Sequence, residues 1–227
     1  MHPTPSPDAL EKRILSAAAH LIGQFGFDKT TMNDIARKAR VAKSTLYLRY
    51  KTRDALYEAL LWHETRQFIT HWLDAIEADP DGGKFSMIYK HALLLLRANP
   101  FLLSLFGRDR RLLGVYMQKW DKQGVIERRL EMSRMFLTQL QAVGAIRQDL
   151  DIEVVTYLVN SMQYGLLKID EIVPPEQAPS LTDVTEVMVE MLDKLLAPPG
   201  GGDSAAGKAV VQQIVVELRA LVEQVSQ

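Results

Sequence analysis

The sequence predicts an all-α protein. Apolar residues recur at intervals of three and four over most of the 227 residues, which is the spacing of one helix face. No run alternates apolar and polar residues as a half-buried strand does, and no repeat of fixed period is present. Proline- and glycine-rich segments separate the periodic stretches and mark the helix ends. With 47% apolar and 24% charged residues, the composition is that of a folded globular protein.

Two helices are predicted first, after a disordered tail over residues 1–7. The first helix begins at Asp8 and ends before Gly26, because glycine commonly terminates a helix. Thr31 can cap the second helix, since Asp34 follows three residues later as in a capping box.

A third helix is predicted over residues 43–50, and a three-residue turn at 40–42 joins it to the second. Two short helices with so short a turn, and with small Ala36 near their crossing, form a helix-turn-helix. Such a unit lays its second helix in the DNA major groove while the first crosses the backbone. We therefore assign residues 8–53 to a helix-turn-helix DNA-binding domain.

The sequence after this segment is also predicted to be helical, and it forms a second domain over residues 54–196. Thr52 can cap a long helix that reaches about Ala78, where the Asp-Pro-Asp-Gly-Gly loop ends it. Further helices are expected at 84–97, 100–106, 109–123, 126–143, 152–172 and 181–196.

The last segment is the least expected part of the chain. Residues 197–207 are predicted to be a flexible linker, and residues 208–227 an extra C-terminal amphipathic helix. Its apolar positions form a heptad-like seam that needs a partner surface. They are Val211, Ile214, Leu218, Leu221 and Val225. We expect this helix to pack on its own subunit or to cross to another, and a loosely docked tail is the alternative.

Charge is unevenly spread along the chain, although the net charge is only −1. Residues 1–53 carry ten lysines and arginines against four acidic residues, whereas the remainder carries 17 against 24. A basic segment on an acidic body indicates a polyanionic partner for that segment alone. A solvated charged face is the alternative interpretation.

Other classes of protein lack support in the sequence. There is no cysteine, which excludes disulfides and thiolate chemistry. The five histidines show no metal-ligand spacing, and no P-loop, GxGxxG or GxSxG motif is present. We therefore predict no catalytic residue, no metal site and no cofactor, and we do not expect an enzyme.

No membrane partner is predicted. The N-terminus has no basic region followed by an apolar run, as a signal peptide would. The most apolar stretch, residues 91–106, is broken by Arg97, Asn99 and Pro100, and it is too short to span a bilayer. We therefore expect a cytoplasmic protein.

The segment RILSAAAHLIGQFGFDKTTMNDIARKARVAKSTLYLRYKTRDAL resembles the DNA-binding domain of TetR-family transcriptional regulators. The resemblance runs from Arg13 to about Leu60. It rests on the Ala-Ala of the first helix, Gly-x-x-x-Thr-Thr, Ile-Ala, and Thr-Leu-Tyr followed by an aromatic residue. It implies a homodimer with a helical ligand-binding and dimerisation domain over 54–196. It also implies a repressor that a small molecule releases from a double-stranded DNA operator. A two-fold dimer predicts that this operator is palindromic, and the aromatic and Met residues of the second domain predict a hydrophobic effector.

The resemblance implies a set of DNA contacts. They are Thr31, Asn33, Arg40, Lys43, Ser44, Thr45, Tyr47, Leu48, Arg49 and Arg53. Thr31, Tyr47 and Arg53 are expected at phosphates, which fix the register of the protein on the duplex. Leu48 is expected at a thymine methyl group, and Arg49 at a phosphate or a base. The alternatives are a core role for Tyr47 and an exposed Leu48 without a contact.

Base recognition is expected mainly at the start of the recognition helix. Lys43, Ser44 and Thr45 would face base edges or the adjacent phosphate, and lysine can donate to the edge of guanine. Asn33 is a further base contact by position, and an ordinary helix residue is the alternative for it.

The sequence departs from the TetR-family pattern at two positions in the turn. Arg40 stands where glycine is usual, and a left-handed backbone there would cost about 1–2 kcal/mol. Contact between its cation and DNA would recover part of that cost. Ala42 replaces the usual Ser or Thr cap of the recognition helix, a loss of about 1 kcal/mol.

The second domain offers candidates for an effector pocket, because apolar pockets with few polar groups bind small molecules. The expected lining residues are Tyr89, Tyr116, Trp120, Phe136 and Met162, with ordinary core roles as the alternative. The resemblance further implies that the helices at 152–172 and 181–196 form a four-helix bundle between two subunits. The other functional hypothesis is a helical dimeric adaptor or ligand-binding protein without sequence-specific DNA binding. Such a protein has no need for the basic N-terminal segment.

Overall fold

The all-α prediction is confirmed by a computed structural model that describes residues 7–109, 113–114 and 125–225. These residues form α-helices and short 3-10 turns and contain no strand. The α-helices are α1 (Pro7–Phe25), α2 (Met32–Ala39), α3 (Lys43–Arg49), α4 (Arg53–Ala78), α5 (Phe85–Ala98), α6 (Pro100–Phe106), α7 (Val125–Ala142), α8 (Ile152–Lys168), α9 (Leu181–Leu196) and α10 (Ser204–Val225). The 3-10 turns are Ile169–Glu171 and Pro175–Gln177.

Side-chain caps fix where several helices begin. Thr31 accepts from the backbone of Asp34 at 3.2 Å, and Thr52 accepts from Ala55 at 3.0 Å, so both predicted caps are confirmed. Asn99 caps α6, where Pro100 occupies the first turn and needs no hydrogen-bond acceptor for its nitrogen. These caps satisfy backbone N–H groups that have no partner within the helix.

The N-terminal helices share one core with the start of α4. α1 packs against α2 and α4, and its residues Ile14 and Ala18 are fully buried. Phe27, in the loop after α1, meets Tyr57 of α4 edge to face, with ring centroids 4.8 Å apart. This core sets the position of α3, whose inner residue Leu46 is also fully buried.

The C-terminal helices pack around the second half of α4. α5 lies between α4 and α9, α7 pairs with α8, and α10 covers α4 and α7. Trp72 of α4 joins two of these neighbours. Its indole N–H donates to the Ile88 carbonyl at 3.1 Å, and its ring meets Phe136 edge to face. Across the described ranges, no helix combines the length and apolarity needed to cross a membrane.

The last helix begins at Ser204, four residues before the predicted start at 208, so the predicted flexible linker over 197–207 is shorter than expected. The reason is a close approach between two glycines. A Cβ on Gly207 would lie 1.9 Å from the Gly83 carbonyl oxygen. The Ser204 hydroxyl also accepts from the Gly83 N–H at 3.1 Å, which anchors the first turn of α10 to the loop after α4.

The helix then packs on its own subunit, which agrees with one of the two predicted placements. Val211 and Val215 are buried, and Gln212 donates to Glu77 of α4 at 2.8 Å. The side chains predicted to continue the seam at Leu221 and Val225 lie outside the described residues.

One other predicted helix ends earlier than expected, and another lies mostly outside the described residues. The helix predicted at 152–172 ends at Lys168 and continues as a 3-10 turn. The helix predicted at 109–123 falls almost entirely outside the described residues.

Candidate nucleic-acid interface

The recognition helix α3 has a buried side and an outward side. Leu46 is fully buried and Tyr50, at the C-terminal end, is 7% exposed. Lys43, Ser44 and Leu48 are exposed, and Leu48 exposes 85% of its surface. The outward side of α3 thus presents a cation, a hydroxyl and an apolar side chain together, which makes it a candidate contact surface for the major groove of DNA.

Tyr47 lies on the outward side with Lys43. It is 41% exposed, which argues against the core role considered for it. The Lys43 ammonium lies 5.7 Å from the centroid of the Tyr47 ring, within range of a cation–π interaction. The two side chains therefore offer a cation and a phenol hydroxyl close together, and both can donate to a phosphate.

Polar contacts with Glu11 of α1 hold the end of α3 in place. The Tyr50 hydroxyl donates to Glu11 Oε1 at 3.0 Å, and Arg49 forms an ion pair with the same carboxylate. Burial raises the pKa of Tyr50 to about 12, and the charge of Glu11 adds to the shift. The position of α3 thus depends on a glutamate 38 residues before Arg49 in the chain.

The turn between α2 and α3 has the left-handed backbone whose cost was considered for Arg40. Arg40 has φ 54° and ψ 48°, and its N–H and that of Val41 donate to carbonyls in the last turn of α2. The guanidinium of Arg13 donates to the carbonyls of Ala39 and Arg40 at 2.8 and 3.0 Å. A cation at a helix C-terminus is favourable, so Arg13 offsets part of the strain at Arg40.

The N-terminal ends of α2 and α3 differ in how they are capped. At α2 the Thr31 hydroxyl donates to Asp34, and this hydrogen bond holds the pKa of that carboxyl below its usual value. At α3 the cap position is Ala42, which has the extended backbone of a cap but no side-chain acceptor, as predicted. The first N–H groups of α3 therefore receive no capping hydrogen bond from that side chain.

The remaining predicted DNA contacts lie around these ends. Thr31 and Asn33 are exposed at the start of α2, and Thr45 is partly buried on α3. Nothing in the free protein tests their contacts with DNA, so these assignments stay predictions.

Arg49 and Arg53 have partners within the protein, which sequence reasoning missed. Arg49 pairs with Glu11, as described above. Arg53 donates to the carbonyls of Phe27 and Asp28 at 3.2 and 3.3 Å, with its guanidinium 4.2 Å from the Phe27 ring centroid. Both arginines can reach DNA only by sharing or leaving these contacts, so their first role is to brace α3 and the loop before α2.

Three of the five residues predicted to line an effector pocket lie in the described part of the chain. Tyr89, on α5, is buried, and its hydroxyl has no hydrogen-bond partner among the described residues. Burial raises the pKa of this phenol. Phe136 and Met162, on α7 and α8, are partly buried against the core, and Tyr116 and Trp120 lie outside the described residues.

The helices predicted to dimerise keep apolar side chains on their outer faces. Val155 of α8 and Met188 and Leu192 of α9 are buried within the subunit. Other large apolar residues of α8 and α9 are exposed: Val154, Tyr157, Leu158, Val187, Met191 and Leu195. Exposed apolar residues in such numbers on two consecutive helices are typical of a surface that a partner covers.

No group of three or more histidine, aspartate or glutamate side chains placed to hold a metal occurs in the described ranges.

Comparison with known proteins bears on both parts of the chain. The family described as bacterial regulatory proteins, tetR family, matches residues 14–60. The chain is 28% identical over 158 residues to YdeS, an uncharacterised HTH-type transcriptional regulator of Bacillus subtilis, covering 66% of this chain and 74% of the relative. It is 40% identical over 70 residues to the HTH-type transcriptional regulator RutR of Escherichia coli, covering 31% of each chain. With YvdT of Bacillus subtilis it is 36% identical over 73 residues, so it spans only about a third of the length of these last two relatives.

Solved structures share the two-part helical fold. The regulator FadR from Bacillus subtilis, in complex with stearoyl-CoA, matches with a TM-score of 0.60 at 19% identity, covering 80% of this chain and 96% of that one. NalD, the secondary repressor of the MexAB-OprM multidrug efflux pump in Pseudomonas aeruginosa, matches with a TM-score of 0.56 at 17% identity, covering 84% and 96%. At these identities the likeness shows the fold alone.

Proposed function

We propose that this chain, whose residues 14–60 match the tetR family of bacterial regulatory proteins, is a member of that family and a homodimeric, sequence-specific DNA-binding repressor released by a small hydrophobic effector. The observation that carries the proposal is the division of α3 into a buried side and an outward side. Leu46 and Tyr50 hold the helix, while Lys43, Ser44 and Leu48 face away from the core. That arrangement leaves one face of a short helix free to enter a major groove.

Affinity for DNA is expected to come from cations and hydrogen-bond donors around α3. Lys43 and Tyr47 offer donors for one phosphate, and the exposed Arg40 adds a cation at the turn. Neutralised phosphates release counterions, so binding should weaken steeply as salt rises. The acidic remainder of the chain keeps other surfaces away from the duplex.

Dimerisation through α8 and α9 would place two recognition helices on one duplex. The exposed Tyr157 and Leu158 of α8 and Val187 of α9 supply the apolar surface that a second copy would cover. A two-fold dimer reads a palindrome, because each α3 addresses one half-site.

The effector is proposed to bind within the C-terminal helices. Tyr89 supports this placement, because a buried hydroxyl without a partner is costly unless something else accepts its hydrogen bond. An apolar molecule with one acceptor near Tyr89 would satisfy it. The proposal also includes a cytoplasmic location and the absence of catalysis.

Selection from a randomised duplex pool at two salt concentrations tests the proposal. The parent chain should enrich a palindrome and bind it with two chains per duplex. Lys43→Ala and Tyr47→Ala should lose that binding. Arg66→Ala, which removes an exposed cation of α4, should keep it. Weak, salt-sensitive binding without an enriched site, from protein freed of any bound small molecule, would favour the adaptor hypothesis instead.

A further inference from the structure

An arginine from α7 lies where α6, α7 and α8 meet. The guanidinium of Arg129 lies 4.7 Å from the centroid of the Phe106 ring, at the end of α6. It donates to the Phe106 carbonyl and to Gln163 Oε1 of α8, each at 3.4 Å. Both hydrogen bonds are at the long end of the useful range, so they compensate the charge only weakly.

Arg129 has no acidic partner among the described residues. Its two acceptors are neutral, and the other charge acting on it is the cation of Arg108. Burial lowers the pKa of Arg129, and repulsion by Arg108 lowers it further. Arginine nevertheless stays protonated at physiological pH, so the described part of the chain leaves a partly buried cation without a counter-ion.

The acidic groups at the end of α8 already have cationic partners. Asp170 pairs with Arg97 at 2.7 Å, and Glu171 pairs with Lys168. The stem of Lys168 in turn lies against the end of α6, because a Cβ on Gly107 would meet Lys168 Cδ at 3.1 Å. The stem of Lys168 thus packs beside the end of α6, and these carboxylates pair with cations other than Arg129.

A row of aromatic rings leads from this point into the core. Phe106 is followed by Phe68, Trp72 and Phe136, and successive ring centroids are 6.2, 6.1 and 6.1 Å apart. Phe136 is one of the residues predicted to line an effector pocket. A cation at one end of an apolar row matches a molecule with an anionic head and an apolar body.

We infer that Arg129 binds the anionic head group of the effector, a carboxylate or a phosphate, while its apolar part follows the row from Phe106 towards Phe136. This inference rests on the proposed release of the protein by a small molecule. It specifies that this molecule carries a negative charge at one end and is apolar along the rest of its length. The head group supplies the counter-ion that Arg129 lacks, and binding of the molecule would draw α6, α7 and α8 together at one point.

The test uses the full chain and three probes of ten carbons each: decanoate, decyl phosphate and neutral decanol. We expect at least one anionic probe to bind the parent about tenfold or more tightly than decanol, as a charge-assisted hydrogen bond implies. The anion that binds distinguishes a carboxylate head from a phosphate head. Arg129→Gln should remove this preference, and Arg129→Lys should retain part of it because it keeps the charge.

Arg134→Gln is the matched control, since Arg134 lies on the same helix with its side chain 44% exposed and pairs with Glu153. It should bind the probes as the parent does. Equal affinity of the parent and Arg129→Gln for the anionic probes would overturn the inference. So would failure of both anionic probes to bind the parent at about 1 mM. If Arg129→Gln does not fold, competition by inorganic sulfate decides on the parent itself, because sulfate should weaken anionic-probe binding and leave decanol unaffected.

Binding to the selected duplex, measured in the same samples, separates this inference from the proposed function. Release of DNA by decanol alone would contradict the head-group assignment and leave the regulator intact. Tight anion binding that leaves DNA affinity unchanged would contradict the effector role of the site. A parent that selects no duplex would contradict the proposed function itself.

Discussion

The guanidinium of Arg13, on α1, donates to the carbonyl of Arg40 at 3.0 Å and to that of Ala39 at 2.8 Å. This contact ties the first helix of the domain to the turn that aims α3. Arg40 itself has a left-handed backbone, which side chains other than glycine adopt at a cost. The orientation of the recognition helix thus depends on two arginines. Arg40 has the strained backbone, and Arg13 stabilises it by hydrogen bonds to the carbonyls of the turn.

Arg13→Met should destabilise the N-terminal domain by about 1 kcal/mol, because it removes two hydrogen bonds from a charged donor that is itself exposed. The apolar stem of the side chain is retained. Urea unfolding measures the loss, and DNA affinity should fall with it because the turn loosens. Lys12→Met removes the exposed neighbouring cation and should leave stability unchanged. Equal effects of the two substitutions would argue against a role for the Arg13 contact.

Arg40→Gly should stabilise the free protein by about 1 kcal/mol, since glycine adopts φ 54° without strain. Arg40→Ala removes the same charge but keeps the strain, so it should give no such gain. Thermal unfolding of the three chains separates the two effects. Both variants should bind DNA more weakly if Arg40 meets a phosphate, and unchanged affinity in both would remove Arg40 from the interface.

Tyr50→Phe should change the dependence of stability on pH. The folded protein raises the pKa of Tyr50 from 10.0 to about 12, so the folded state holds this proton more tightly than the unfolded state. The resulting stability is fully present below about pH 10 and is lost as pH rises towards 12. Tyr50→Phe lacks the titrating hydroxyl and should lose less stability over that range.

The measurement is urea unfolding of both proteins at about pH 8 and about pH 10.5. At the lower pH the parent should be more stable, because Tyr50 donates to Glu11 at 3.0 Å. Its advantage should shrink at the higher pH. A constant difference between the two proteins would show that Tyr50 does not titrate as its burial implies.

Gly83→Ala should either undock α10 or lower the free energy of unfolding by roughly 1–3 kcal/mol. The added Cβ would lie 1.8 Å from the Ser204 carbonyl oxygen and 2.7 Å from the Lys208 nitrogen. Those atoms are backbone and cannot move aside as a side chain can. Gly23→Ala is the control, with its nearest neighbouring atom 3.8 Å away, and should stabilise α1 by about 0.5–1 kcal/mol. Proteolysis near residue 203 and the melting temperature report on both. Equal melting temperatures would mean that α10 is docked only loosely.

Local chemistry allowed much of the fold to be predicted. Thr31 and Thr52 marked helix starts because side-chain caps act within three residues. The uncapped Ala42 was predicted from the resemblance to one family, because that family usually has Ser or Thr there. The family's usual glycine at position 40 raised the question of a left-handed backbone, which the structure answers.

Contacts between distant parts of the chain could not be predicted in the same way. Arg49 meets Glu11 across 38 residues, and Arg129 meets Gln163 across 34. Neither pair has a spacing signal, because both depend on how the helices pack. The early start of α10 was missed for the same reason. In the sequence Gly207 is typical of a linker, and only the packing of the chain places it against Gly83.

The proposed repressor recognises its operator because α3 reads base sequence, and duplex selection repeated with altered α3 residues tests this recognition. Ser44→Asn and Leu48→Asn change exposed side chains, so each should enrich a palindrome altered within its half-sites while keeping useful affinity. Tyr47→Phe removes only a phosphate donor, so it should enrich the parent palindrome with uniformly weaker binding. If every variant selects the parent sequence, α3 does not read bases, which contradicts sequence recognition by this helix.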